Sequence, residues 1–338
     1  MRISFGGGGS ELSPYVDNFG GAVLSASIGI YAHVTILKES NSFGVSFTSH
    51  ELGTTIKNLD IEITELVSVP DEFRLSIACM KHVLLLRGLK QIDGLHIITG
   101  SEAPVGSGLG SSSVLTVAIL KALGDLLEID WTQTQLAKEA YAVERVSLGL
   151  AGGLQDHYAA AFGGINFIEF TKEKEGLVNP IRLDRSTINA LESSLILLYT
   201  GTSRDSSQII EAQNASLITN PEENTHIFHE LKKTAVLMKK SIENGNIEQL
   251  GEQLHKSWIL KKSSSSKITN QKINETYEAA LQLGAYGGKI SGAGGGGFMM
   301  LLVPPNLKIK IAKALKAEEA IVFPTNLVNM GAESWRSN

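Results

Sequence analysis

Three glycines at alternate positions, Gly106, Gly108 and Gly110, stand between Pro104 and a run of serines, Ser111, Ser112 and Ser113. Glycine has no Cβ, so such a backbone can pass close to a ligand. Ser is a favoured N-cap, and the apolar stretch from Val114 to Leu127 predicts a buried helix starting at the serines. A glycine loop feeding a helix N-terminus collects unpaired N–H groups at the positive end of the helix dipole. That suits an anion, most naturally a polyphosphate. The spacing excludes two common loops. No Lys-Ser/Thr pair follows the last glycine, as a Walker A loop requires, and the third glycine of a dinucleotide fingerprint would fall on Ser111. The alternative is a glycine-rich turn capping an ordinary core helix.

Two further glycine runs and two carboxylates accompany this loop. Arg2-Ile-Ser-Phe leads into Gly6–Gly9, then Ser10 and Glu11. Late in the chain comes Gly287-Gly-Lys-Ile-Ser-Gly-Ala-Gly-Gly-Gly-Gly-Phe298. The four consecutive glycines of the late run cost conformational entropy that a simple turn does not need, which favours a site; the first run could equally be a tight turn with Glu11 at the surface. Glu144 sits on the helix that Thr132 and Gln135 open with a capping box, and Asp156 follows twelve residues later in Gly152-Gly-Leu-Gln-Asp-His157. Glu144 could be a solvated helix carboxylate. Asp156 could cap the short helix Tyr158–Phe162.

Residues 104–112 resemble the phosphate loop of the GHMP kinases, Pro-x-Gly-x-Gly-Leu-Gly-Ser-Ser, at all nine positions. The first and last glycine runs resemble the first and third motifs of that superfamily. Within it, Gly20-Gly-Ala-Val-Leu-Ser25 and residues 152–169 are similar to the D-glycero-α-D-manno-heptose 7-phosphate kinases, where Ser10 and Glu11 replace the usual Thr and Asp. The longer Glu11 side chain moves its carboxylate by about one C–C bond.

The resemblance implies ATP, Mg²⁺ and transfer of the γ-phosphate to a sugar's anomeric hydroxyl. It implies ATP contacts from Pro104, Gly106, Ser107, Gly108, Leu109, Gly110, Ser111 and Ser112, and Mg²⁺ ligands Ser112 and Glu144. Asp156 becomes the base or orienter of the acceptor hydroxyl, with Arg2 beside it near the transferred phosphate. Gly8, Gly9, Ser10, Glu11, Gly294 and Gly295 become substrate contacts, and Arg204 in Thr200-Gly-Thr-Ser-Arg204 a candidate anchor for the sugar's own phosphate. His157 receives no role. A kinase for another sugar, of the fucose or galactose type, and a non-catalytic ATP and sugar sensor remain as alternatives.

A chain of 338 residues with 43% hydrophobic and 19% charged residues fits two domains sharing a cleft. A net charge of −5 without a basic stripe argues against nucleic acid. No stretch approaches a membrane span and no signal peptide is visible, so the cytoplasm is expected. The single cysteine, Cys79, falls in the apolar period of a helix and reads as a core thiol. A homodimer stays open.

Strands and helices mix without a regular βαβ repeat, which predicts an α+β fold. Under the resemblance this becomes a ribosomal protein S5 domain 2-like N-terminal domain over 1–164 and a ferredoxin-like C-terminal domain over 165–338. Strands are expected at 22–27, 31–37, 45–48, 61–64, 95–99, 165–170, 195–199, 289–291, 298–303 and 325–330. Helices are expected at 68–88, 206–217, 221–244, 247–262 and 271–283. Lys261–Lys267, with four consecutive serines, reads as a mobile polar break.

Overall fold

The structure, a computed structural model, describes residues 1–39, 42–62, 65–104, 106–201, 206–316 and 321–337. The chain begins β1 (Arg2–Gly6), α1 (Tyr15–Phe19), β2 (Gly21–Ser27), β3 (Ala32–Lys38), β4 (Val45–Ser49) and β5 (Thr54–Leu59). It continues α2 (Asp71–Leu86), β6 (Leu95–Ser101), α3 (Ser111–Leu126), α4 (Gln133–Tyr141), α5 (Gln155–Phe162), β7 (Ile165–Phe170) and β8 (Gly176–Pro180). The second half runs α6 (Arg185–Ser194), β9 (Leu195–Tyr199), α7 (Ser206–Thr219), α8 (Pro221–Glu243), α9 (Ile247–Ser263) and α10 (Gln271–Gln282). It closes with β10 (Gly287–Ile290), β11 (Phe298–Leu302), α11 (Lys308–Lys316) and β12 (Ile321–Phe323).

The described strands form three four-stranded sheets, ordered β1-β2-β7-β8, β3-β6-β4-β5 and β10-β11-β9-β12. β2 packs against both α5 and α8, so Gly-Ala-Val-Leu-Ser-Ala-Ser is buried at every position and its sequence does not alternate. β3 and β5 have one open face and alternate in exposure along their length. One core joins the halves. Ile3, Phe5 and Leu24 of the first sheet pack in the same cluster as Leu197 and Met300 of the last sheet and Leu254 of α9. The cleft between the halves is therefore floored by shared apolar packing.

Several expectations are corrected. Ile165–Phe170 was expected to open the second domain. It pairs antiparallel with β2, and β8 adds outside it. The expected strand at 61–64 is displaced to Thr54–Leu59, because a turn at Gly53, with φ +66°, starts the return of the hairpin earlier. Ile61 is buried in the core, which explains its apolar signal, and 63–64 lie outside the described residues. The 325–330 stretch runs extended but makes one isolated bridge, Leu327 to Ile28, and the local strand is Ile321–Phe323. Short or amphipathic elements escaped the sequence reading: α1, α6, β8 and α11. The supposed polar break is helical through Ser263, and Lys261 within it is buried.

Candidate active site

The 106–110 loop takes left-handed backbone at Gly106, Gly108 and Gly110, with φ of 70°, 75° and 77°. Alternation of this kind turns successive N–H groups toward one concavity, which favours an anion. Gly110 occupies the N-cap position of α3, so the serines are first-turn residues and not caps. The late glycine run closes over this loop. A Cβ at Gly108 would lie 2.5 Å from the Ser291 carbonyl oxygen, and one at Gly292 would lie 2.6 Å from that of Gly108. The Phe298 N–H donates to the Ser107 carbonyl at 2.9 Å. The two glycine motifs thus interlock backbone against backbone across the halves, a contact that side chains would forbid.

Beside the loop lies a cavity of about 430 Å³, lined among others by Arg2, Glu11, Ser112, Glu144, Asp156 and Lys261. Asp156 sits in the first turn of α5, and Leu154 holds the cap position, so the capping alternative for Asp156 does not describe it. Its Oδ1 accepts from Arg2 Nε at 2.7 Å and lies 2.6 Å from Arg2 Nη2. Arg2 Nη1 donates to the Gly108 carbonyl at 2.7 Å and to Ser291 Oγ at 3.3 Å. One guanidinium therefore ties β1 to the carboxylate, the glycine loop and the second half.

Glu144 is buried, not a surface carboxylate. The backbone at Ala142–Ser147 is a π-helical turn, with Leu148 N–H donating to the Val143 carbonyl at 3.1 Å. π turns recur at functional sites. Here Glu144 faces inward, where Oε1 accepts from Ser112 Oγ at 2.5 Å and Oε2 lies 2.6 Å from His157 Nε2. Arg145 stands 3.3 Å away. Burial alone would push the Glu144 pKa up, but His157, Arg145 and Ser112 together pull it down to about 2. His157, given no role from sequence, is the residue whose N–H holds this carboxylate. Only its adjacency to Asp156 hinted at the site. Among the described residues no cluster of three or more His, Cys, Asp or Glu could bind an ion unaided. A hydroxyl and an ionised carboxylate at the mouth of an anion loop fit a hard cation that also binds phosphate oxygens and water.

The remaining candidates divide. Glu11 lines the cavity, with Oε2 accepting from Gly9 N–H at 2.7 Å and Oε1 from the Gln155 amide. Its burial pushes the pKa up, opposed by the backbone N–H of its own loop. Gln155 was not singled out from sequence. Gly9 and Ser107 reach the cavity, and Gly8 lies beside Gln155 and Lys261. Five residues do not face it as expected. Ser10 spends its hydroxyl on the backbone of Ala22 and is fully buried. Leu109 is a core side chain. Pro104 accepts the turn bond from Ser107 N–H. Gly294 and Gly295 pack on Ile268, and Gly292 and Ala293 line the cavity instead. Arg204 lies outside the described residues.

Residues 75–164 match the GHMP kinases N terminal domain, and residues 238–320 match GHMP kinases C terminal. The chain is 34% identical over 337 residues to the D-glycero-alpha-D-manno-heptose 7-phosphate kinase of Campylobacter jejuni, covering 99% of this chain and 97% of that protein. It is 27% identical to the bifunctional fucokinase/GDP-fucose pyrophosphorylase of Arabidopsis thaliana, covering 97% of this chain and 32% of that longer protein. The crystal structure of a D-glycero-D-manno-heptose 1-phosphate kinase from Bacteriodes thetaiotaomicron superposes with a TM-score of 0.83 at 31% identity, covering 100% of this chain and 97% of that one.

Proposed function

From the premise that the chain belongs to the GHMP kinases and is a phosphotransferase acting on a sugar hydroxyl, we propose that it transfers the γ-phosphate of ATP to the anomeric hydroxyl of D-glycero-D-manno-heptose 7-phosphate. The product is the 1,7-bisphosphate, a precursor suited to nucleotide activation of the sugar. The observation that carries this reading is the convergence of Asp156, Arg2, Glu11 and the 106–110 loop on one cavity between the halves.

In this reading the loop N–H groups cradle the polyphosphate. Ser112 and Glu144 would hold Mg²⁺, which would supply positive charge to offset that of the phosphates. Asp156 accepts the hydrogen bond of the anomeric hydroxyl and points its oxygen at the γ-phosphorus. A new P–O bond forms as the bond to the bridging oxygen breaks. ADP leaves with that electron pair, and the hydroxyl proton passes to Asp156 and then to solvent. Little covalent work falls to the protein, so positioning and charge dominate. Glu11, fixed by Gly9 and Gln155, meets the sugar hydroxyls.

The relatives carry different phosphate positions in their names, heptose 7-phosphate and heptose 1-phosphate. ADP release measured with heptose 7-phosphate, heptose 1-phosphate, L-fucose and D-galactose separates the sugars. Turnover confined to the 7-phosphate supports the proposal. Turnover confined to any other sugar overturns it, and binding without turnover favours a sensor. Fucose is the less favoured acceptor, since the fucokinase relative is less similar and mostly longer than this chain.

A further inference from the structure

We propose that Lys261, from the last turn of α9, is a catalytic residue whose ammonium group contacts the transferring phosphoryl. The inference rests on the phosphotransferase reading of the same cavity.

Lys261 is 2% exposed, yet it lines the cavity. Its Nζ donates to the Gly292 carbonyl at 2.6 Å, beneath the late glycine run. A Cβ built on Gly8 would lie 4.0 Å from this Nζ and 3.6 Å from Gln155 Nε2, so the ammonium reaches across to the first glycine run. It shares the cavity lining with Glu11, Arg2 and Asp156. An ammonium has three N–H donors and no acceptor. Gly292 takes one, and among the described residues no carboxylate lies within ion-pair distance of the group.

Arg2 is the other cation at this point, but four of its five N–H donors are committed. Nε and Nη2 face Asp156, and Nη1 serves the Gly108 carbonyl and Ser291. Lys289 in β10 is 1% exposed, and burial with Lys261 and Arg2 nearby draws its pKa well down, which favours its neutral form. Lys261 is thus the buried cation left without a carboxylate in ion-pair distance among the described residues. Buried charge without a partner is costly. A transferring phosphoryl, carrying negative charge on three oxygens, supplies the missing partner at the only moment it is present, which is how a preorganised cation lowers a barrier. In keeping with this, burial and Arg2 draw the Lys261 pKa down to about 8, against the pull of Glu11 and Asp156.

The test uses the full chain as wild type, Lys261→Met and Lys261→Gln, the second keeping a polar group should the first fail to fold. Binding of Mg-ADP is measured with and without aluminium fluoride, which mimics the transferring phosphoryl, alongside kcat, KM and melting temperature. Wild type should bind Mg-ADP more tightly with aluminium fluoride. Either folded variant should bind Mg-ADP alone as wild type does, lose that tightening, and lose about 10²–10³-fold in kcat. Retained tightening with wild-type kcat overturns the proposal, as does a rise confined to the sugar KM, which would make Lys261 a sugar contact. The aluminium fluoride arm needs no sugar. A wrong choice of sugar silences only the turnover arm, so the two failures are distinguishable.

Discussion

Arg2 sets both Nε and Nη2 on a single oxygen of Asp156, at 2.7 and 2.6 Å, although the two residues are 154 positions apart in the chain. The same guanidinium bonds the Gly108 carbonyl, so the Asp156 carboxylate and the glycine loop share one fixed point.

Asp156→Asn should lower kcat by about 10²–10⁴-fold while ATP and sugar phosphate bind nearly as in wild type. The variant also leaves Arg2 with a weaker partner, so folding stability should fall by about 1–3 kcal/mol. Steady-state kinetics, ligand binding and melting temperature on one preparation check this. Wild-type kcat in a folded variant would remove Asp156 from the mechanism.

Glu144→Gln keeps an oxygen for Ser112 and removes the charge. The Mg²⁺ concentration giving half-maximal rate should rise by about tenfold or more, with part of the lost activity restored at high Mg²⁺. A titration of rate against Mg²⁺ decides it. An unchanged midpoint would mean that Glu144 only anchors His157 and the π turn.

Acid should expose the same carboxylate. Its pKa in the fold, about 2, lies below the ordinary 4.5, so the unfolded chain binds its proton first as pH falls. The stabilisation is complete above pH 4.5 and drains away between 4.5 and 2. Urea midpoints of wild type and Glu144→Gln should therefore differ most near neutrality and converge through that window. A gap that stays constant with pH would count against an ionised Glu144.

Gly108→Val is not a change confined to the glycine loop, because a Cβ there meets Ser291 of the second half. Gly292→Ala tests the interlock more gently. Its φ of +75° and the 2.6 Å approach to the Gly108 carbonyl both oppose a side chain. The expected cost is about 1–3 kcal/mol of stability together with weakened ATP binding. Melting temperature and nucleotide titration read the two effects, and wild-type values for both would show that the motifs do not depend on their close contact.

Local chemistry made much of this protein legible in its sequence. Alternating glycines before an apolar helix mark an anion loop because only glycine takes repeated left-handed backbone without strain. The Thr132–Gln135 capping box, the breaks at Gly88 and Gly149, and the long amphipathic α8 and α9 announce themselves through propensity and period. Asp156, Arg2 and Glu144 could be named only because the short motifs around them resemble those of a known family.

Tertiary structure decided the rest, because burial and partnership depend on residues distant in the chain. Lys261 and the serines after it read as a polar break, since a lysine's charge argues for solvent until a buried cavity with Glu11 and Asp156 is known to surround it. Ser10 carries the same hydroxyl in a site as in a core, and only its bonds to Ala22 tell which. His157 gained its place when the π turn brought Glu144 to it. β7 joined the first sheet because its partner β2 lies more than a hundred residues earlier, a pairing that no local pattern encodes.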